Sequence, residues 1–156
     1  MSIERVKEHF GGFGMAERIQ EFPVSSATVE LAAAALGCEG CRIAKTLSFL
    51  VDGAPVLVVA AGDARVDNGK FKAFFHTKAK MLSPEEASSL VGHAVGGVCP
   101  FAVNEGVKTY LDISLGRFET VFPACGSSNS AIELTLEELE RLSQALGWVD
   151  VCKGWQ

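Results

Sequence analysis

A chain of 156 residues, 48% hydrophobic and 21% charged, is long enough to bury a core without disulfide or metal staples, and a single domain over residues 1–156 is expected. Its net charge of −5 excludes a wholesale electrostatic grip on a long nucleic acid, DNA included. The longest apolar runs, such as PVLVVAA at 55–61, are far too short to span a membrane, and five cysteines at low density read as reduced thiols, so a cytoplasmic protein is expected.

MSIERVKEHF has the amphipathic pattern of a helix over residues 2–10, not that of a secretion signal, and Gly11-Gly12 stops it. Ser25 or Ser26 is the expected N-cap of a second helix, TVELAAAAL, closed by Gly37. Strand 42–51 then turns at Asp52-Gly53 into strand 55–61, the strongest hairpin signal in the chain. Asp67 caps a helix carrying Phe71, Phe74 and Phe75, and KAKML at 78–82 reads as a short strand. Ser83-Pro84-Glu85-Glu86 opens another helix, which Gly92 ends. KTYLDI and FETVFPA read as strands, and Thr135 with Glu138 forms a capping box for a last helix ended by Gly147. The hairpin-like connections predict a mixed, largely antiparallel curved sheet or barrel surrounded by helices.

One residue breaks the pattern. At the two-residue period of a strand, Ile43, Lys45, Leu47, Phe49 and Val51 share one face and Ala44, Thr46, Ser48 and Leu50 the other, so a lone cation sits on the more apolar side. Stem burial with the head in water would explain it without function.

Other candidates are weaker. Cys38-Glu39-Gly40-Cys41 lacks the second pair a zinc site needs and lies in a helix-to-strand turn, so no metal is expected. GKFKAFFHTKAK gathers Lys70, Lys72, His76, Lys78 and Lys80 with interleaved phenylalanines, which fits a few phosphate contacts or a solvated basic helix face. GHAVGGVCPFAV, residues 92–103, has neither nucleotide-loop spacing, but its glycines let backbone approach a ligand. Asp67, Asp112 and Glu133 give no paired-carboxylate spacing, and no cofactor is expected.

SSATVELAAAALG, RIAKTLSF, VGGVCPF and GSSNSAIELT resemble, in order and spacing, the YbaK/EbsC family, free-standing relatives of the bacterial prolyl-tRNA synthetase editing domain. The resemblance runs from about Phe22 to Trp148 and implies an aminoacyl-tRNA deacylase that acts in trans on the 3′ acceptor end of a mischarged tRNA, tRNA(Pro) or similar. It implies that Lys45 is the main functional side chain and that the loop Gly96, Gly97, Val98, Cys99, Pro100 and Phe101 lines the pocket. Ser127, Ser128, Thr28 and Arg65 are further expected contacts, with an aminoacyl-tRNA synthetase as a partner and a monomer or weak dimer as the assembly.

An aminoacyl ester is already activated, so substrate-assisted hydrolysis through a terminal ribose hydroxyl needs no protein base. Cys99 is expected to line the pocket and His93 to be an exposed loop residue, not a nucleophile and its base. The family's cysteinyl-specific members carry an aspartate where this chain has Ala131, and the histidine of its alanine editors is missing too, so only a small amino acid is expected. The competing expectation is a binding module for a tRNA 3′ end or an aminoacyl-nucleotide-like molecule, without turnover.

Overall fold

The computed structural model describes residues 2–94 and 96–155; Val95, inside the glycine-rich passage, lies outside them. Among the described residues five α-helical segments flank the sheets: α1 (Ser2–Gly11), α2 (Val29–Leu36), α3 (Asn68–Phe75), α4 (Pro84–Glu86) and α5 (Leu136–Ser143). The strands are β1 (Gln20–Glu21), β2 (Ile43–Val51), β3 (Ala54–Ala61), β4 (Arg65–Val66), β5 (Lys108–Asp112), β6 (Thr120–Pro123), β7 (Ser130–Ala131), β8 (Leu134–Thr135), β9 (Trp148–Val149) and β10 (Cys152–Lys153).

The main sheet is six-stranded in the order β8-β6-β2-β3-β5-β9, and it curls into a half-barrel. Its longest ladder is the antiparallel β2-β3 hairpin, whose turn residues Asp52 and Gly53 sit at φ of 51° and 78°, the paired positive values a tight hairpin turn demands. β2-β6, β3-β5 and β5-β9 are parallel, so the sheet is mixed. The small sheets β1-β7 and β4-β10 are antiparallel.

Local chemistry sets most boundaries. Asp67 caps α3 through the Lys70 amide, while Ser83 and Thr135 form capping boxes with Glu86 and Glu138. α2 is capped by Thr28, two or three residues later than Ser26 or Ser25, because those serines reach the Ser128 carbonyl instead. KAKML is no strand. It touches the β2 edge through one bridge, Phe49 to Met81, flanked by Leu50 N–H to Lys80 O and Leu82 N–H to Ser48 O. α5 ends at Gln144 in the left-handed region, not at Gly147, because Leu146 and Gly147 are already bonded to Thr109 and Leu111 of β5.

The main core is built largely from aromatic and branched side chains. Phe71 of α3 meets Phe75 at 4.5 Å and Phe49 of β2 at 4.7 Å, all in tilted packing, while Phe10 of α1 meets Phe101 at 4.8 Å. Each such ring, fully buried, contributes on the order of 1.5–3 kcal/mol. A second cluster, Leu57 with Leu82, Ala87 and Val91, seats α4 and the π-helical turn Ala87–Val91 on the other side of the hairpin, so residues 81–87 stand beside the β2 stripe of small residues.

Candidate active site

The floor of the most enclosed cavity among the described residues is β2, where Ala44, Thr46 and Ser48 leave room because their side chains are short. Ser26 to Val29 and Ala32 form one wall, Met81, Leu82, Pro84 and Ala87 another, and Phe122, Ala124, Ser130 and Ala131 a third, with Gly96 and Val98 closing the gap. The volume is about 480 Å³, within the range of small-ligand sites.

Three chain segments meet because the serine-rich turn holds them. Ser128 O accepts from Ser26 N–H at 2.6 Å, and Ser127 Oγ lies 2.7 Å from Ser130 Oγ and 2.9 Å from Asn129 Oδ1. A Cβ on Gly97 would lie 2.8 Å from Ser127 backbone, so glycine is required for the loop to pack on this turn. The close approach that the glycines allow is thus to the protein's own chain.

Lys45 lies in the cavity wall and is half-buried. Its ammonium donates to Gly62 O at 3.3 Å and to Ala64 O, so two of three N–H donors are bonded within the protein. The head is therefore fixed on carbonyls instead of floating in water. Burial lowers its pKa, opposed by its neighbours Cys152, Asp63 and Glu30. The turn that carries these carbonyls is held in place from outside: Arg117 grips Asp63 in a two-pronged ion pair at 2.6 and 3.0 Å and keeps that carboxyl below its usual range.

Among the described residues, Lys45 is the one ionisable side chain in the cavity wall. Thr46 also lines the cavity, and its buried Oγ1 has no hydrogen-bond partner among the described residues. No group of three His, Cys, Asp or Glu side chains among the described residues stands close enough to hold a metal ion.

The structure brings Lys45, Thr28, Gly96 and Val98 of the expected residues to the cavity and leaves others outside. Cys99 and Phe101 are fully buried in the main core and Pro100 is buried beside them; neither thiol nor ring faces the cavity, because Phe101 packs on Phe10. His93 is buried, not exposed: its Nε2 lies 2.7 Å from Phe101 O and 3.6 Å from Cys99 Sγ. Burial pushes the Cys99 thiol up to about 12 and His93 down, so both groups are neutral and neither is an activated nucleophile or base.

Ser127 and Ser128 hold the walls together and leave the surface to Ser130 and Ala131. Arg65 is exposed on β4 opposite Lys153, away from the wall. Asp112 is buried and accepts from the amides of Ser114 and Val151, while Glu133 bonds Arg42 and Thr120, so both are structural. Thr46 and Ser48 were not among the expected contacts, although with Ala44 they form an alternating run of small residues on the strand that carries Lys45.

The sequence profile of the aminoacyl-tRNA editing domain matches residues 24–142. The chain is 52% identical over 157 residues to the uncharacterized protein YwhH of Bacillus subtilis (strain 168), covering 100% of both. It is 28% identical over 102 residues to the proline–tRNA ligase of Nitratidesulfovibrio vulgaris (strain DP4), a match spanning 64% of this chain and 18% of that one. A crystal structure of a candidate trans-editing enzyme for prolyl tRNA synthetase superposes with a TM-score of 0.87 at 31% identity over 98% of each chain. No described helix is long and apolar enough to cross a membrane.

Proposed function

The chain belongs to the aminoacyl-tRNA editing domain family, and on that premise we propose that it is a deacylase that hydrolyses, in trans, the ester joining a small amino acid to the terminal ribose of a mischarged tRNA, tRNA(Pro) being the first candidate. The observation that carries this reading is the wall with Lys45 as its one ionisable side chain. An ammonium held by two carbonyls keeps one N–H for an oxygen of the substrate, and its half-buried position strengthens that contact.

With no histidine, cysteine or carboxylate among the described residues of the wall, we assign the proton transfers to the substrate. Water adds its oxygen to the ester carbonyl carbon while a ribose hydroxyl orients it and relays its proton. The C–O bond to the ribose breaks, and the departing ribose oxygen takes that proton. Lys45 stabilises charge on the oxygen as it develops, an effect that reaches 10²–10³ in rate for a single donor, as a rough guide. Small walls built from Ala27, Ala32, Ala44, Ala124 and Ala131 suit a small side chain.

That no carboxylate among the described wall residues is there to pair with the substrate's amino group favours a second reading, a module that binds the tRNA end without turnover. Wild type and Lys45→Ala are compared on tRNAs charged with alanine, serine, threonine, cysteine and proline, including mischarged tRNA(Pro). Selective release lost in the variant supports the deacylase, and folded wild type inert toward the whole panel rejects it.

A further inference from the structure

Residues 68–84 carry Lys70, Lys72, His76, Lys78 and Lys80 and no carboxylate, in a chain whose net charge is −5. Lys70 is engaged with Asp150 and the Cys152 carbonyl. Lys72, Lys78 and Lys80 are exposed and form no ion pair among the described residues. Phe74 and Met81, 46% and 57% exposed, interleave with them.

This segment ends at the cavity. Met81 and Leu82 line it, and Lys80 O is bonded to Leu50 N–H of β2, which fixes the lysine run against the lip. A cavity of about 480 Å³ takes an aminoacyl group and part of a nucleoside, so the rest of any polynucleotide must leave over the rim. Beyond Pro84 the rim turns acidic with Glu85 and Glu86, while α1 and α5 expose Glu4, Glu8, Glu137 and Glu140. The lysine side is an exit that does not repel a polyanion.

We infer that Lys72, Lys78 and Lys80 form a phosphate track that holds the acceptor stem of an RNA whose 3′ end occupies the cavity. Exposed Phe74 and Met81 supply apolar contact beside the charges, the mixture that suits a nucleic-acid surface. The inference rests on the deacylase reading for its substrate, and its test separates the two.

Binding of an uncharged acceptor-stem RNA minihelix is measured by fluorescence anisotropy across a salt series, for wild type and for the triple variant Lys72→Gln, Lys78→Gln, Lys80→Gln. Hydrolysis of the ester carried on a bare CCA trinucleotide is followed in parallel. Each lost phosphate contact removes roughly 0.7–0.9 from the slope of log K against log salt, so the slope falls by about 2 and low-salt affinity by roughly tenfold or more. The trinucleotide ester reacts at the wild-type rate in both proteins. Equal slopes and affinities, no wild-type binding of the minihelix, or a matching loss on the trinucleotide overturns the track. Wild type inert on every ester but with the expected loss of slope in the variant rejects the deacylase and keeps the track.

Discussion

The carbonyl of Gly62 accepts a hydrogen bond from Lys45 Nζ at 3.3 Å, from a position that tolerates no side chain. A Cβ there would stand 2.0 Å from Gly40 O and 2.9 Å from Val29 Cγ1, so the turn that presents the carbonyl is packed backbone against backbone. Gly62→Ala therefore has to push Gly40 or Val29 away. Overpacking of this kind costs roughly 1–3 kcal/mol, which lowers Tm by about 2–4 °C per kcal/mol in a chain of this size. Thermal denaturation reads the loss, and an unchanged Tm would contradict the packing described.

Lys45 sets the pH dependence. Its working form is the ammonium, which is fully populated below the pKa and lost as pH rises through it. Because burial lowers that pKa from 10.5, kcat/KM corrected for spontaneous hydrolysis falls at a lower pH than an exposed lysine would give. Lys45→Ala reduces kcat/KM by roughly 10²–10³, while Lys45→Arg keeps a fixed charge and abolishes the alkaline limb at a reduced rate. A wild-type limb that persists in Lys45→Arg would assign the titration to another group.

Much of this was legible because it is local. Asp52-Gly53, Asp67, Ser83 and Thr135 act on residues two to four positions away, so their turns and caps need only the sequence. Lys45 stood out as a charge on an apolar strand face. The orientation of the loop 96–101 was not legible: which side chains face the cavity is set by Phe10, some ninety residues away, which draws Phe101 and with it Cys99 into the core. Ser26 and Ser130 reach the wall only because the Ser128 carbonyl and the Ser127 hydroxyl tie their segments together. No periodicity encodes such a link.

Arg117 acts on the site through Asp63. Its guanidinium holds the turn whose Gly62 and Ala64 carbonyls orient Lys45, but both side chains are partly exposed, so the pair contributes only about 0–1 kcal/mol to stability. Arg117→Gln frees the turn. Expected are a kcat several-fold lower, a KM little changed and a Tm within a few degrees of wild type. Arg117→Lys recovers part of the rate, and a loss of rate that tracks Tm would mark the pair as merely structural.

Cys99 and His93 lie within contact distance, an arrangement that invites comparison with a thiol nucleophile and its base. The thiol is fully buried and pushed up to about 12, so almost no thiolate exists near neutral pH. Iodoacetamide leaves the deacylase rate intact, labelling the partly exposed Cys38 and Cys41 first by mass spectrometry. Cys99→Ala keeps the rate within about twofold and loses roughly 1 kcal/mol of stability through the small void. Inactivation in step with Cys99 labelling would restore the nucleophile.

Glu138 ties the first turn of α5 to Arg18, 2.8 Å away, and closes the capping box with the Thr135 amide. The arginine, more than the cap, holds its carboxyl at about 2 in place of 4.5. A carboxylate with a depressed folded pKa stabilises the fold above its unfolded value and loses that contribution as pH falls through the folded one. The contribution of Glu138 is thus complete above about pH 4.5 and gone near pH 2. Glu138→Gln keeps the amide contact to the cap and removes the charge, so its Tm lies a few degrees below wild type at pH 6, and the two curves converge as pH approaches 2. Parallel Tm curves over that range would show that the cap, not the ion pair, carries the effect.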